Sequence, residues 1–293
     1  SPVGKSLLID AGNNGMGNKK VLPLLRTLKI VSLDYVVATH YDADHIGGLD
    51  EVVNGIGVKI KAYDRGELKK TKKSKTYKDY AASIANKHAS ISPGEEIDLG
   101  PVRVTCMAVN GKTVKDPPEG SAVTEENACS VALKLRYGGF DYFIGGDISG
   151  GGRSGTKVTD DVEGKVAPLV GDVDVLRISH HGSTTSSNES FLAATRPEVA
   201  VISVGNGGSN YRYHHPSRDV LDRFLALQGL RIVFQTNRGE TLGGITDEDL
   251  KTIRITDGDV VLSTDGNTYM VNGMLFPVDE QTSTNNQPKA NGG

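Results

Sequence analysis

An α/β fold with antiparallel as well as parallel strand pairs is what this sequence predicts, on three observations. Short apolar runs bounded by Gly, Pro, Asn and Asp recur along the chain, stretches with helical spacing separate them, and Gly-Gly or Asp-Gly pairs follow some of the runs directly. The strand-like runs cover residues 6–9, 35–39, 58–63, 102–108, 131–137, 141–144, 174–178 and 199–204. Helical spacing marks 20–27, 49–54, 78–88, 189–195 and 218–228, with Ser187 or Asn188 and Ser217 placed to cap the last two. Gly138-Gly139 has the form of a two-residue hairpin turn, as do Asp257-Gly258 and Asp265-Gly266, which excludes a simple doubly wound parallel sheet. Segments 111–126 and 150–171 read as irregular; the second is a candidate loop over a substrate or a passive surface insertion. Residues 1–275 are expected to form the folded domain and 276–293 a polar tail, since from Gln281 onward only Ala290 is apolar.

With 293 residues, 37% of them apolar, the chain can bury a sizeable core as one large domain or two small ones. A formal charge of -3 argues against the strongly basic surface of a dedicated duplex-DNA binder and leaves a local basic patch open. One such patch is the run Lys69, Lys70, Lys72, Lys73, Lys75 and Lys78 beside Tyr77 and Tyr80, which reads either as a track for a phosphate backbone or as a solvated face. Cys106 and Cys129 are too few for a disulfide framework; they are two buried thiols or one bridge between neighbouring strands. No apolar run approaches the roughly 18 residues of a membrane span. The expectation is a soluble protein, cytoplasmic or exported, and no protein partner is predicted.

The chemistry concentrates in His40-Tyr41-Asp42-Ala43-Asp44-His45, at the end of a buried strand and ahead of Gly47-Gly48. Two imidazoles and two carboxylates so close together supply the nitrogen and oxygen donors that Zn²⁺, Mn²⁺ or Fe²⁺ accept. Six of the seven histidines fall in three clusters, His40/His45, His180/His181 and His214/His215, and His88 stands apart on an expected helix as a surface residue. His180 and His181 end another strand, as does Asp147. One cluster of ligands at one edge of a sheet sandwich needs such strand ends. Adjacent residues of an extended strand point to opposite faces, so one of the pair is expected to ligate, with His180 preferred.

Leu-Ile-Asp-Ala-Gly (8–12), Thr-His-Tyr-Asp-Ala-Asp-His-Ile-Gly-Gly (39–48), Gly-Gly-Asp (145–147), Ser-His-His-Gly-Ser (179–183) and His215-Pro216 together resemble the metallo-β-lactamase-fold hydrolases. Within them the pattern is most similar to the hydrolase domain of DNA-uptake competence proteins of the ComEC type and their soluble relatives, which carry HxDxDH where most members have HxHxDH. The resemblance runs from about residue 6 to residue 272. It implies an αββα sandwich with two divalent ions, Zn²⁺ or Mn²⁺, at one edge. His40 and Asp42 would serve the first ion, Asp44, His45 and one of His180/His181 the second, with Asp147 bridging and Asp10 orienting a ligand. Two departures stand out: Asn127 lies where most members place a further histidine for the first ion, and only five residues precede Ser6, where the family has an opening hairpin.

The resemblance implies hydrolysis by an ion-activated hydroxide, oriented by Asp44 or Asp147, with His215 as general acid, phosphate contact or mere helix cap. A phosphodiester in single-stranded or nicked DNA is the leading substrate. A small phosphodiester with a choline-phosphate-type headgroup is the alternative, and a non-catalytic, metal-stabilised binding module is a third reading.

Overall fold

The computed structural model describes residues 1–67, 74–117, 123, 125–206 and 213–279. The first sheet consists of four parallel strands in spatial order, β1 (Leu7–Ile9), β2 (Leu33–Val37), β3 (Val58–Asp64) and β4 (His88–Ser90). Parallel neighbours need crossovers, and α1 (Leu22–Thr27), α2 (Ala43–Ile46), α3 (Leu49–Ile56) and α4 (Lys75–Ile84) lie along them. Period-two alternation then sorts the side chains: Val36, Ala38 and Ala62 share a core with Leu22, Leu49, Val52, Tyr80 and Ile84 of the helices, whereas Tyr35, Val37 and Tyr63 turn toward the second sheet.

The second sheet starts as an antiparallel meander of β5 (Glu96–Leu99), β6 (Val102–Ala108), β7 (Ala132–Tyr137) and β8 (Phe140–Ile144), and Gly138-Gly139 makes the two-residue turn that the sequence announces. After a short ribbon, β9 (Arg153–Ser154) and β10 (Lys157–Val158), the strands β11 (Val175–Arg177), β12 (Val199–Ile202), β13 (Ile232–Gln235) and β14 (Ile253–Ile255) add in parallel beyond β8. Phe143, Leu176, Ala200, Ile202 and Val233 bury one face against α5 (Val162–Val170), α6 (Glu189–Thr195) and α7 (Arg218–Leu225). The layer order is therefore helix, sheet, sheet, helix, an αββα sandwich. Where the four-stranded sheet ends, a three-stranded antiparallel sheet takes over. Its strands are β15 (Leu262–Thr264), β16 (Thr268–Val271) and β17 (Met274–Pro277), and Tyr269, Val271 and Phe276 cover Val175, Val199, Val201, Ile232 and Phe234.

Several expectations shift. Helix α4 begins at Lys75 because the Ser74 hydroxyl accepts from Tyr77 N, and it ends at Ile84; His88 lies in β4, donating from Nε2 to Asp64 Oδ1 at 2.9 Å. The segment 150–171, expected to be irregular, contains α5. Asp161 caps it through Gly164 N, and Val162, Val166 and Val170 form a buried stripe that Gly164 and Pro168 disguise in the sequence. Strands β5, β13, β14 and β17 were not anticipated; β15 and β16 form the antiparallel hairpin that Asp265-Gly266 announces, whereas the strands flanking Asp257-Gly258 belong to different sheets, so that pair closes no hairpin. Strand β17 runs to Pro277 with Phe276 buried, so ordered chain continues past residue 275. Residues 280–293 of the expected tail lie outside the described residues, as do Lys69, Lys70, Lys72 and Lys73 of the basic run. Cys106 and Cys129 are buried free thiols. Among the described residues no helix is long and apolar enough to cross a membrane.

Candidate metal centre

The centre is assembled from strand ends, and its best-anchored member is His45. Asp10 follows β1 with a left-handed φ of 58°, which turns its carboxylate across to the end of β2. There Oδ1 accepts from Thr39 N at 2.8 Å, and Oδ2 accepts from Thr39 Oγ1 at 2.8 Å and from His45 Nδ1 at 2.7 Å. A carboxylate on Nδ1 fixes the tautomer and leaves the Nε2 lone pair directed inward. Asp10 thus sits where an orienting carboxylate belongs. The turn from Asp42 into α2 places Asp44 on the first helical turn, with His45 one residue on.

Asp147, which directly follows the Gly145-Gly146 pair at the end of β8, is the hub. Its Oδ2 lies 3.3 Å from His45 Nε2, 3.8 Å from His40 Nε2, 3.8 Å from His181 Nε2 and 4.0 Å from His180 Nε2. Asp42 Oδ2 is 3.7 Å from His40 Nε2, and Asp44 Oδ2 is 3.3 Å from His181 Nε2 and 3.8 Å from His45 Nε2. Most of these separations are too long for hydrogen bonds and suit donor atoms arranged around a shared cation, given ion-to-donor distances of about 2.0–2.2 Å. Two groups converge among the described residues: His40, His45 and Asp147, and Asp44, His45 and His181. The buried Nε2 atoms of His40, His45 and His181 and Oδ1 of Asp147 have no hydrogen-bond partner. Buried polar atoms left open are costly, and four of them on residues of these two groups fit divalent cations.

The electrostatics agree. Burial works against ionisation of Asp147, yet the charges of His45 and His181 hold its carboxyl well below the usual range. Burial opposes protonation of His45, but Asp147 and Asp10 raise it well above its ordinary value. This negative potential stabilises positive charge, whether that charge is a proton or a metal ion that displaces it.

The pair His180-His181 corrects the extended-strand expectation. Strand β11 stops at Arg177, and both histidines are left-handed, with φ 50° and 53°. Two such non-glycine residues in succession are strained by roughly 1–2 kcal/mol each. The turn brings both rings to the centre. His181 joins Asp44 and His45, with its Nδ1 donating to Ser203 O at 2.7 Å. His180 lies across the hub beside Asn127 (Nδ2 to Nε2, 3.2 Å), and Thr185 Oγ1 holds its Nδ1 at 3.1 Å. His215 stands on the rim, 5.6 Å ring to ring from His180. Burial and the neighbouring His180 and His181 push its imidazole down to about 4. The N-cap of α7 is Ser217, so His215 is not the helix cap.

Sequence reasoning missed the supports. Arg65 pairs with Glu126 (Nη2 to Oε2, 2.6 Å) and lies 4.1 Å over the Tyr41 ring, while Glu126 Oε1 accepts from Tyr41 N at 2.8 Å. This ties the His40 loop to the turn carrying Asn127; the signal was Glu126 immediately before Asn127, and Arg65 just past the end of β3. Glu163, wholly buried on α5, accepts from Ser187 N at 2.8 Å and Asn188 N at 2.9 Å and so anchors the far end of the His180 loop.

Burial raises the Glu163 carboxyl from 4.5 to about 7 against those two donors, with Asp161 adding to the rise and Arg223 opposing it. Its pKa is higher folded than unfolded, so its contribution to stability is complete below about 4.5 and is lost as pH rises through about 7. Urea denaturation at pH 5 and pH 8 should therefore show the wild type losing about 2–3 kcal/mol more than Glu163→Gln over that interval. Identical pH dependence in the two proteins would contradict this assignment.

A sheet sandwich with an aspartate and histidine ion site at one edge defines a class, and the chain belongs to it: residues 2–206 match the metallo-beta-lactamase superfamily, metal-dependent hydrolases as a class. More particularly, it is similar to competence proteins. It is 26% identical to ComE operon protein 3 of Bacillus subtilis over 76% of this chain and 26% of that protein. It is also 26% identical to competence protein ComA of Neisseria gonorrhoeae, over 78% of this chain and 28% of that protein. Recombination protein 2 of Haemophilus influenzae is again 26% identical, over 75% and 24%. The chain thus spans about a quarter of the length of these relatives. Among solved structures, it is similar to a diphosphatase of the PhnP family (15% identity, 86% of this chain and 78% of that one, TM-score 0.39). It is similar also to the subclass B3 metallo-beta-lactamase MEM-A1 (17%, 61% and 70%, TM-score 0.41).

Proposed function

We propose that the protein is a phosphodiesterase that hydrolyses DNA, single-stranded or nicked, with two divalent ions, Zn²⁺ or Mn²⁺. The observation that carries the reading is the hub: one buried carboxylate, Asp147, surrounded by four histidine Nε2 atoms within 4.0 Å. His40, Asp42 and His180 would hold one ion together with Asp147, His180 supplying the imidazole that Asn127 does not. Asp44, His45 and His181 would hold the second ion. When bound, the two ions supply an acidified water near neutral pH and positive charge against the phosphoryl oxygens.

The residues of the chain do the positioning. Asp44 and Asp147 accept hydrogen bonds from the attacking water and orient it, Asp10 keeps His45 in its ligating tautomer, and His215 on the rim donates to a phosphoryl or leaving oxygen. The similarity to proteins named for recombination and competence supports nucleic acid as the substrate.

The test uses metal-stripped protein refilled with Zn²⁺ or Mn²⁺, with single-stranded DNA and bis-p-nitrophenyl phosphate as substrates. DNA cleavage that returns with metal and disappears in the double variant Asp44→Ala, His45→Ala is expected. DNA affinity should fall steeply with salt, since each neutralised phosphate releases counterions. Turnover of the small diester alone, with little salt dependence, would move the assignment to a headgroup phosphodiesterase, and bound metal without turnover to a binding module.

A further inference from the structure

Three rings run outward from the centre in nearly parallel planes. His181, whose Nε2 lies 3.3 Å from Asp44 Oδ2, stacks toward His215 with centroids 6.5 Å apart and planes 23° apart. His215 in turn stacks on Tyr213 at 5.8 Å and 19°. Tyr213 is 68% exposed. Singly exposed aromatic side chains are ordinary; this one is set apart because one face is seated on a ring of the site and the series begins at the ion ligands. An exposed aromatic face offers stacking to any base, and the two ring contacts set Tyr213 beyond His215 in line from the ion ligand His181, on the way a strand with its phosphate at the hub would leave.

We propose that Tyr213 is the platform on which the nucleobase next to the scissile phosphate stacks, so the site selects diesters that carry a base. The inference rests on the nucleic-acid reading above and deepens it. His215 then contributes twice, contacting the phosphoryl group at its edge and backing the tyrosine with its face. Selection by stacking alone is tolerant of base identity, because every base has a π-face.

The experiment compares a short fluorescent single-stranded DNA with the same strand carrying one abasic residue beside the cleavage position, in binding by anisotropy and in cleavage by the metal-loaded protein. The readout is the preference ratio between the two strands, which cancels any disturbance transmitted through His215. Wild type is expected to favour the complete strand by roughly ten-fold, the scale of one base-aromatic stack. Tyr213→Phe should keep that ratio and Tyr213→Ala should bring it close to one. A wild-type ratio near one, or an unchanged ratio in Tyr213→Ala, overturns the platform while leaving the nuclease reading intact. Turnover of bis-p-nitrophenyl phosphate without cleavage of either strand overturns both.

Discussion

Asp147→Ala lowers kcat/KM for diester hydrolysis by about 10³-fold or more, the scale on which a group is lost from a site that acts as a unit. Asp147 is 4% exposed and, among the described residues, is the one acceptor within 4.0 Å of His40, His45, His180 and His181 together. Without it four imidazoles face one another with only Asp42 and Asp44, the more exposed carboxylates, left beside them, and both ions would lose a shared ligand. Metal content should fall along with activity. Metal analysis after dialysis, beside single-turnover kinetics, checks the expectation; a variant retaining both full metal content and activity within ten-fold of wild type would remove Asp147 from the centre.

Asp10→Asn should weaken metal binding by about 10–100-fold with the fold retained, because the group removed touches a ligand and not the ion. Asp10 accepts three hydrogen bonds, from Thr39 N, Thr39 Oγ1 and His45 Nδ1. An asparagine presents one oxygen and one NH₂ to donors that all need an acceptor, so at least one buried contact becomes donor against donor. If His45 shifts its proton to Nε2 to escape, its ligating lone pair is lost. Competition with a chromophoric chelator measures the affinity, and thermal melting confirms folding; unchanged affinity would show that the Asp10 carboxylate does not orient His45.

Much of this could be read from the chain before the fold was known, and the failures have physical reasons. The ligand-bearing strand ends were legible because ionisable residues directly after buried apolar runs demand partners. The division between His180 and His181 was not legible: it depends on two successive left-handed residues, a conformation that residue type does not announce. Helix α5 was hidden by Gly164 and Pro168 although Val162, Val166 and Val170 kept helical spacing. Strands β13, β14 and β17 were missed because three- and four-residue runs such as Ile253–Ile255 are too short to show a period. Arg65 and Glu126 lie sixty-one positions apart, so that although each adjoins a site segment, nothing local announces that they pair.

The three-stranded sheet bears on how this protein can be cut. The superfamily match stops at residue 206, yet Val175, Val199 and Val201, all before that point, owe their dry surroundings to Tyr269, Val271 and Phe276, all after it. A fragment trimmed to the matched segment would also lose the two outer parallel strands and α7, baring an apolar face on each side of the remaining sheet. Such a fragment would be sticky rather than minimal. Any transplant of this catalytic edge into another polypeptide has to carry the chain at least as far as Pro277.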